Sequence, residues 1–325
     1  MEQLWSAKFR VSARPMKRHE WWRQSYREDR YGQHLTQPEL NRRFRDVLVN
    51  LLTLTPDAKF GFPSMGPVGI RWMELMTHVQ EEFFLRHGPY PAGYTRDIHR
   101  FDPIPDFAGD LAKKAARALV SKGLASNQVF IKYGKPEHMT ALYQEGRLRV
   151  QPASYYSMPD HTGAIRDDEL SLQVSLALSR DSIIKVVKNP QDLPPDTPSQ
   201  RLDFRFQHDR DFWLYCVSSS TEPRLFVDFD ATACVIIKDR QEFSRRLRAA
   251  STTAFPGTTD REGCAIYIDP LRPTTAKIHV PMSKDFRYAY QDEYRFVWET
   301  SDRRPLSHVD LALDGLHDIA ELVLL

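Results

Sequence analysis

The sequence Tyr-Ala-Tyr-Gln-Asp-Glu-Tyr-Arg-Phe-Val-Trp at positions 288–298 alternates side-chain character as a half-buried β-strand does. Side chains of a strand point alternately to its two faces. One face then carries the aromatic residues Tyr294, Phe296 and Trp298. The opposite face carries Gln291, Glu293, Arg295 and Val297. The pattern predicts a strand with one face turned to a core and a second face that begins with an amide and a carboxylate.

Gln291 and Glu293 are two residues apart, so their side chains would project side by side from a strand. The carboxylate can accept hydrogen bonds from sugar hydroxyls and face a developing positive charge, and the amide can position a nucleophile. The alternative interpretation is an ordinary half-exposed strand whose Glu293 pairs with Arg295 or with solvent. This stretch alone leaves both interpretations open.

Charge and periodicity both divide the 325-residue chain. Residues 1–128 contain 20 Lys and Arg against 14 Asp and Glu, whereas residues 129–325 contain 25 against 29. Helical spacing dominates the first third, and strand-like runs dominate the rest. We therefore predict an α+β protein with a helical N-terminal domain over 1–125 and a strand-rich domain over 126–325.

The first 30 residues combine eight basic side chains with several aromatic ones. Such a mixture can contact nucleic acid through phosphates and base stacking. It can equally form a solvated face with a few aromatic anchors. The N-terminal domain is therefore predicted to bind either a target or a partner, and the sequence leaves its role open.

The three cysteines, Cys216, Cys234 and Cys264, lie in apolar strand-like runs without metal-binding spacing. We predict that they are small buried residues in a reducing compartment, and no metal site is expected. No apolar signal core follows Met1, and no stretch approaches the roughly 18 apolar residues of a membrane span. These features predict a soluble cytoplasmic protein without a membrane partner.

Local signals place the individual elements. Thr36 to Glu39 forms a capping-box pattern that opens a helix, and Gly88 ends the next helix. Further helices are predicted over about 106–121 with a Gly123 cap, over 136–145 and over about 240–250. Strands are predicted at 129–133, 148–153, 212–218, 226–228, 233–237, 265–268, 277–280, 293–299 and 320–324, and a proline-rich loop is predicted at 189–200.

Three segments of the second half then follow one another in a distinctive order. They are a strand–helix–strand unit over 129–154, an apolar strand over 212–221 that ends in hydroxyl residues, and Gln291-Asp292-Glu293. In this order they resemble ADP-ribosyltransferases of the Gln-x-Glu type, enzymes that split NAD and transfer its ADP-ribose to an acceptor. The resemblance covers roughly 129–325 and does not extend to 1–125. It implies an ADP-ribosyltransferase-like split β-sandwich with flanking helices.

The chain is most similar to the bacterial defence toxins of this superfamily, such as the transferase component of toxin–antitoxin–chaperone antiphage systems. The residues that suggest this are Phe130 to Gly134, Gly146 to Val150, Ser154 to Tyr156, Arg166 to Glu169, Tyr215 to Ser218 and Glu293 to Phe296. The charged run Arg166 to Glu169 invites a metal-site hypothesis, but its composition favours a salt-bridged or helix-capping segment.

The resemblance implies specific roles. Glu293 would hydrogen-bond the ribose and stabilise an oxocarbenium-like cation, and Gln291 would orient the acceptor. NAD, as the substrate, would be bound by a set of residues on the first strand, after the next strand and at the central strand end: Lys132, Tyr133, Tyr155, Tyr156, Ser218, Ser219 and Ser220. No Gly-x-Gly-x-x-Gly follows a strand, so a Rossmann site is not predicted.

The first strand departs from the superfamily pattern. Its Arg or His position holds Lys132, which lacks the planar guanidinium fork. Lys132 itself, or another cation among Arg147, Arg149 and Arg166, would contact NAD; otherwise the motif is misaligned. Tyr133 could instead be the functional side chain, and Lys132 could be an exposed strand residue.

The resemblance also implies partners: a macromolecular acceptor, RNA or protein, together with an antitoxin and a chaperone. Two alternatives stay open at this point. One is a non-catalytic nucleic-acid- or protein-binding module with the same fold. The other is an NAD glycohydrolase in which water is the acceptor.

Overall fold

The computed structural model describes residues 16–55, 57, 59–62, 66–89, 104–161, 163–178, 200–273, 277–301 and 303–325. Its architecture is mixed α/β, with helices flanking several antiparallel sheets. The helices are α1 Arg18–Glu28, α2 Gln37–Leu51, α3 Pro67–His87, α4 Asp110–Val120, α5 Pro136–Glu145, α6 Arg224–Asp228 and α7 Arg240–Ala254. The strands are β1 Thr53–Leu54, β2 Phe60–Gly61, β3 Phe130–Gly134, β4 Arg147–Pro152, β5 Ser171–Leu178, β6 Gln200–Gln207, β7 Phe212–Ser218, β8 Ala233–Ile237, β9 Thr259–Cys264, β10 Ile266–Ile268, β11 Ser283–Asp285, β12 Glu293–Glu299, β13 Val309–Ala312 and β14 Ala320–Leu324.

Strand β12 has the bounds that its alternation predicts. Phe296 and Trp298 belong to the main hydrophobic core, and Tyr294 packs on Phe130 with a ring-centroid distance of 4.6 Å. The strand is paired along one edge with β7 and along the other with β9, antiparallel in both cases. Because both edges are hydrogen-bonded in register, the face that carries Glu293 is fixed.

The large sheet divides at β7. One edge of β7 pairs with β12 over its whole length. Along the other edge, β4 pairs near the start of β7 and β3 meets its last residue, Ser218. From there β4 continues to β13, while β3 continues to β8 and β14. The sheet therefore opens into two branches next to the end of β7.

Helices cover both faces of the β3–β8 branch. Residues of α5 and α7, among them Leu142 and Phe243, pack into the core under β3, β8 and β12. On the opposite face, α4 and α6 contribute Leu119 and Phe226 to a second cluster that includes Ile131. Because the β3–β8 branch is buried on both faces, its strands are apolar along most of their length.

The N-terminal helices pack against the strand-rich part. The predicted capping box is confirmed: Thr36 caps α2, and Glu39 Oε2 accepts a hydrogen bond from the Thr36 N–H at 2.7 Å. Arg43 of α2 forms a buried bidentate ion pair with Asp269, and Asn50 donates to the carbonyl of Arg287. Contacts of this kind join residues on both sides of the predicted domain boundary near 125.

Arg224 adds a second connection between the two regions. Its guanidinium pairs with Asp228, the i+4 residue of the same short helix, and donates to the carbonyls of Val49 and Leu52 at the end of α2. The guanidinium also lies over the rings of Phe107 and Tyr290 at 4.9 and 4.1 Å. Arg224 is 1% exposed, so this connection is buried.

Two strand predictions are wrong. The segment 226–228 is part of helix α6, and 277–280 forms no strand, because Val280 begins a short 3₁₀ turn. Short apolar runs do not distinguish a buried strand from a buried helical turn. The hairpin of β5 and β6 and the strands β9 and β13 were not predicted. Residues 189–199 of the predicted loop lie outside the described residues, and Gln200 begins β6.

The prediction of three buried cysteines holds in part. Cys234 is buried, Cys216 is half-buried, and Cys264 is exposed on β9, so the prediction for Cys264 is wrong. Of the basic aromatic N-terminus, residues 1–15 lie outside the described residues. In α1, Trp22 and Tyr26 are buried while Trp21 is exposed. In the described residues no helix has both the length and the apolar composition to cross a membrane.

Candidate active site

A cavity of about 440 Å³ lies where the sheet divides, next to the ends of β3, β7 and β12. Glu293 begins β12 directly opposite Ser218, the last residue of β7, and Ile131 of β3 also pairs with Ser218. The lining includes most of the predicted site residues, namely Lys132, Tyr133, Tyr155, Tyr156, Ser218, Gln291 and Glu293. The volume lies within the range of roughly 300–1,000 Å³ that is usual for small-molecule sites.

The Glu293 carboxylate is buried and held by two cations. Lys284 Nζ lies 2.7 Å from Glu293 Oε2, and Arg295 Nε lies 2.7 Å from Glu293 Oε1. Glu169 contacts the same two cations, with distances of 3.3 Å to Lys284 and 2.7 Å to Arg295. We call Glu169, Lys284, Glu293 and Arg295 the ionic quartet; each member is at most 7% exposed.

The quartet keeps its charges despite its burial. Burial alone would raise the pKa of Glu293, but Arg295 and Lys284 hold that pKa well below its usual value. Conversely, burial alone would lower the pKa of Lys284, and the carboxylates of Glu169 and Glu293 raise it well above its usual value. Two cations face two carboxylates, so the quartet has no net formal charge.

Gln291 does not lie on the strand. It ends a 3₁₀ segment, Phe286–Gln291, and Asp292 follows with a φ of 43°, in the left-handed region. The side chain of Gln291 is 2% exposed and donates from Nε2 to the Ala164 carbonyl at 2.7 Å. The prediction of two neighbouring side chains on one strand face is therefore wrong, although both residues line the cavity.

The three serines at the end of β7, Ser218, Ser219 and Ser220, are placed differently from one another. Ser218 lines the cavity, and its hydroxyl donates to the Gln291 carbonyl at 2.6 Å. It also accepts from the backbone N–H of Ser220. Ser219 and Ser220 are buried and do not line the cavity. Ser218 thus fixes the turn before β12, and the hydroxyl contacts neither oxygen of the Glu293 carboxylate.

Lys132 points its ammonium group into the site region from β3. Its Nζ donates to the Cys216 carbonyl at 2.7 Å and lies 4.5 Å from the centroid of the Tyr215 ring. Burial lowers the pKa of Lys132. Of the alternative cations, Arg149 pairs with Asp310 on the exposed face of the β4–β13 pair, and neither Arg147 nor Arg166 lines this cavity.

The tyrosines form one wall. Tyr155 and Tyr156 follow β4 in a 3₁₀ segment, Ala153–Ser157, and their rings meet edge to face at 5.6 Å. Burial raises the pKa of Tyr156 well above its usual value, which keeps its hydroxyl protonated as a donor. Tyr133 is more deeply placed, because its ring packs on Phe226 at 5.0 Å.

Lys284 and Glu169 were not predicted as site residues. Lys284 comes from β11, which the sequence patterns did not identify. Glu169 ends the charged run Arg166 to Glu169, for which a salt-bridged segment was predicted, and the structure confirms that ion pairing. A signal for Glu169 was thus present, whereas nothing near Lys284 indicated that it reaches Glu293.

In the part of the chain that the structure describes, no group of three or more His, Cys, Asp or Glu residues could hold a metal ion. Comparisons of the chain with protein-family models, with curated proteins and with solved structures gave no match.

Proposed function

We propose that the chain is an NAD-dependent ADP-ribosyltransferase whose site is the cavity at the end of β7. One observation carries the proposal. Lys132, Tyr156 and the close pair Gln291 and Glu293 come from three separate segments of the sequence, yet they line one cavity of suitable size. The resemblance implies roles for these four residues, and the split of the sheet at β7 is consistent with the ADP-ribosyltransferase-like split β-sandwich.

The reaction breaks the bond between nicotinamide and the ribose carbon. Nicotinamide leaves with the bonding electrons as a neutral amide, and the ribose carbon passes through an oxocarbenium-like state. An acceptor nucleophile then forms the new bond to that carbon and loses a proton. Each oxygen of the Glu293 carboxylate has two lone-pair sites and is paired with one cation, so it can still accept a hydrogen bond from a ribose hydroxyl.

The remaining residues would bind the rest of NAD. The Lys132 ammonium would contact the diphosphate as a point charge, and binding of an anion there would oppose the pKa-lowering effect of burial. Tyr155 and Tyr156 would pack against the nicotinamide ring. The Gln291 side chain is hydrogen-bonded to the Ala164 carbonyl in the lining of the cavity. Gln291 would therefore orient the acceptor indirectly, by fixing the shape of that lining.

A second candidate function is a binding module without chemistry. The specific observation in its favour is the pairing of both Glu293 oxygens with cations, which neutralises the charge that a transferase would direct at the oxocarbenium ion. The Lys132 cation would then dominate the charge in the cavity and favour an anionic ligand.

The acceptor that we propose is a macromolecule, RNA or protein, modified by a cytoplasmic toxin that an antitoxin and a chaperone control. This part of the proposal rests on the resemblance and on the basic, aromatic-rich N-terminal sequence. With water as the acceptor, the same site would act as an NAD glycohydrolase.

The test is incubation of the protein and a cell extract with NAD that carries a radioactive label in its adenylate half. Label on a macromolecule supports the transferase, and sensitivity to nuclease or protease then identifies the acceptor class. Free ADP-ribose indicates the glycohydrolase, and intact NAD with measurable binding indicates the binding module. Absence of both turnover and NAD binding refutes the proposal.

The matched variants are Glu293→Gln and Glu299→Gln, which change the two ends of the same strand. Loss of one well-placed electrostatic group is expected to cost roughly 3–4 kcal/mol, or about two to three orders of magnitude in rate, for Glu293→Gln. Glu299 lies outside the cavity and pairs with Arg261, so Glu299→Gln is expected to keep its activity. Melting temperatures of both variants distinguish lost chemistry from lost folding.

A further inference from the structure

Of the two cations that hold the Glu293 carboxylate, Arg295 lies on β12 and Lys284 lies outside both β7 and β12. The hydroxyl of Ser218 is hydrogen-bonded to the Gln291 carbonyl, and the contact to Glu293 Oε2 comes from Lys284 on β11. We propose that Lys284 is a positioning residue: held by Glu169, it fixes the Glu293 carboxylate in the orientation that meets the substrate sugar. This inference rests on the function proposed above and deepens it.

The short parallel pair β10–β11 holds Glu293 at two points. Tyr267 of β10 and Lys284 of β11 are register partners. The Tyr267 hydroxyl accepts a hydrogen bond from the backbone N–H of Glu293 at 2.8 Å, while Lys284 contacts its side chain. The β10–β11 pair therefore fixes the positions of both the backbone and the carboxylate of Glu293. Such support from neighbouring groups is what keeps a functional side chain in a productive geometry.

The two cations of the quartet differ in what else they bind. Arg295 is fully buried, and its Nη1 donates to the carbonyls of Pro281 and Ser283. Lys284 lines the cavity and has two carboxylate partners for its three N–H donors. Arg295 thus ties β12 to the start of β11 and to the residues just before it. Lys284 instead lies at the cavity, where its two carboxylate partners hold it beside Glu293.

Glu169 holds the ammonium group of Lys284 in place. A lysine ammonium is a point charge on a flexible stem, so a single contact would leave its position loosely set. Glu169 provides a second carboxylate at 3.3 Å and also balances the charge of the quartet. Glu169 and Ala164 both line the cavity, and the Ala164 carbonyl accepts a hydrogen bond from Gln291. The wall and the Glu293 carboxylate are therefore connected through Lys284.

The competing explanation is that the quartet only stabilises the fold. A buried charge left without its partner destabilises a protein strongly, so Lys284→Met alone would reduce activity under either explanation. The double variant Lys284→Met with Glu169→Gln separates them, because it removes one positive and one negative charge and leaves Glu293 paired with Arg295. Charge balance is restored, while the contact to Glu293 Oε2 stays absent.

The experiment compares the wild type, Lys284→Met and the double variant, with Lys238→Met as a control. Lys238 pairs with Glu321 on the surface, away from the cavity, so its loss is expected to leave activity unchanged. For a positioning role we expect the double variant to regain most of the melting temperature lost by Lys284→Met. Its kcat for NAD cleavage should stay reduced about 30-fold or more, with KM changed by less than about threefold. Recovery of kcat to within about threefold of the wild type in the double variant overturns the inference.

A measurement without NAD keeps the test independent of the proposed function. Carboxyl NMR of isotope-labelled glutamate, assigned with Glu293→Gln, follows the titration of the Glu293 side chain. With Lys284 present, this pKa lies well below the usual range, and it should rise in the double variant. An unchanged titration overturns the coupling of Lys284 to Glu293 whether or not NAD is a substrate. A wild type that shows the shifted titration but neither binds nor cleaves NAD refutes the proposed function alone.

Discussion

Replacement of Arg224 by methionine tests whether the helical and strand-rich regions fold as one unit. The change leaves the Asp228 carboxylate buried without its partner, and the side chain of Asp228 is 2% exposed. Loss of one partner of a buried ion pair typically costs about 3–5 kcal/mol. The buried carbonyl of Val49 also loses its donor, and an unsatisfied buried acceptor costs roughly 1–3 kcal/mol. Because such terms are not additive, we expect a loss of about 4 kcal/mol in the free energy of unfolding for Arg224→Met.

Denaturant unfolding, followed by fluorescence and by circular dichroism, measures this loss. Aromatic residues lie in both regions, so two coincident transitions would indicate cooperative unfolding. The compensated double variant Arg224→Met with Asp228→Asn removes both charges. It should recover part of the loss and remain less stable than the wild type by about 1–3 kcal/mol, because the Val49 carbonyl still lacks its donor.

Two outcomes would contradict this reasoning. A change below about 1 kcal/mol for Arg224→Met would mean that the guanidinium is solvated and does not bridge the regions. Equal stability of the single and double variants would mean that the unpaired carboxylate of Asp228 is not the source of the cost.

Three further predictions concern other parts of the molecule. Gly146→Ala should lower the free energy of unfolding by at least about 3 kcal/mol, because Gly146 has a φ of +64° and an added Cβ would collide with a neighbouring backbone. Gly123→Ala, at a φ of +59° in open space, should lower it by about 1 kcal/mol. Similar losses for the two variants in thermal unfolding would contradict the packing at position 146. Burial raises the pKa of Asp46 from 3.8 to about 7, so its contribution to stability is complete below pH 3.8 and is lost as the pH rises through about 7. Asp46→Asn should therefore make the free energy of unfolding less pH-dependent between these values by up to about 4 kcal/mol, and an unaltered pH profile would count against the raised pKa. A thiol reagent should modify exposed Cys264 in the native protein and buried Cys234 after unfolding; protection of Cys264 in the folded state would argue against its placement on β9.

Periodicity and capping predicted much of the fold. The bounds of β7, β8, β12 and β14 were predicted as they occur, because each has an apolar alternation or run between clear breaks. Helix α5 was equally well marked by Pro136 at its start and a left-handed Gly146 at its end. The predicted domain boundary near 125 and the site roles stay predictions.

The features of the site that were not predicted depend on contacts between residues that are distant in the sequence. The turn before β12 contains Asp292 in a left-handed conformation, which removes Gln291 from the strand, and an Asp at that place gives little warning. The pairing of Lys284 with Glu293 arises from the docking of β11, a three-residue strand, and such short strands leave almost no periodic signal. Strand β5 of the β5–β6 pair was missed although Leu172, Val174, Leu176 and Leu178 alternate with smaller or polar residues, which is a local strand signal.

The two-sided pairing of β12 has a consequence for how this protein can change. Aromatic residues of the core alternate with two members of the ionic quartet, Glu293 and Arg295, along the same seven-residue peptide. Insertion or deletion of a single residue there would turn the residues that follow it to the opposite faces, so that the rings of Phe296 and Trp298 would leave the core and Arg295 would enter it. Point substitutions can therefore tune this region, whereas changes in its length would disrupt the core and the ionic quartet together.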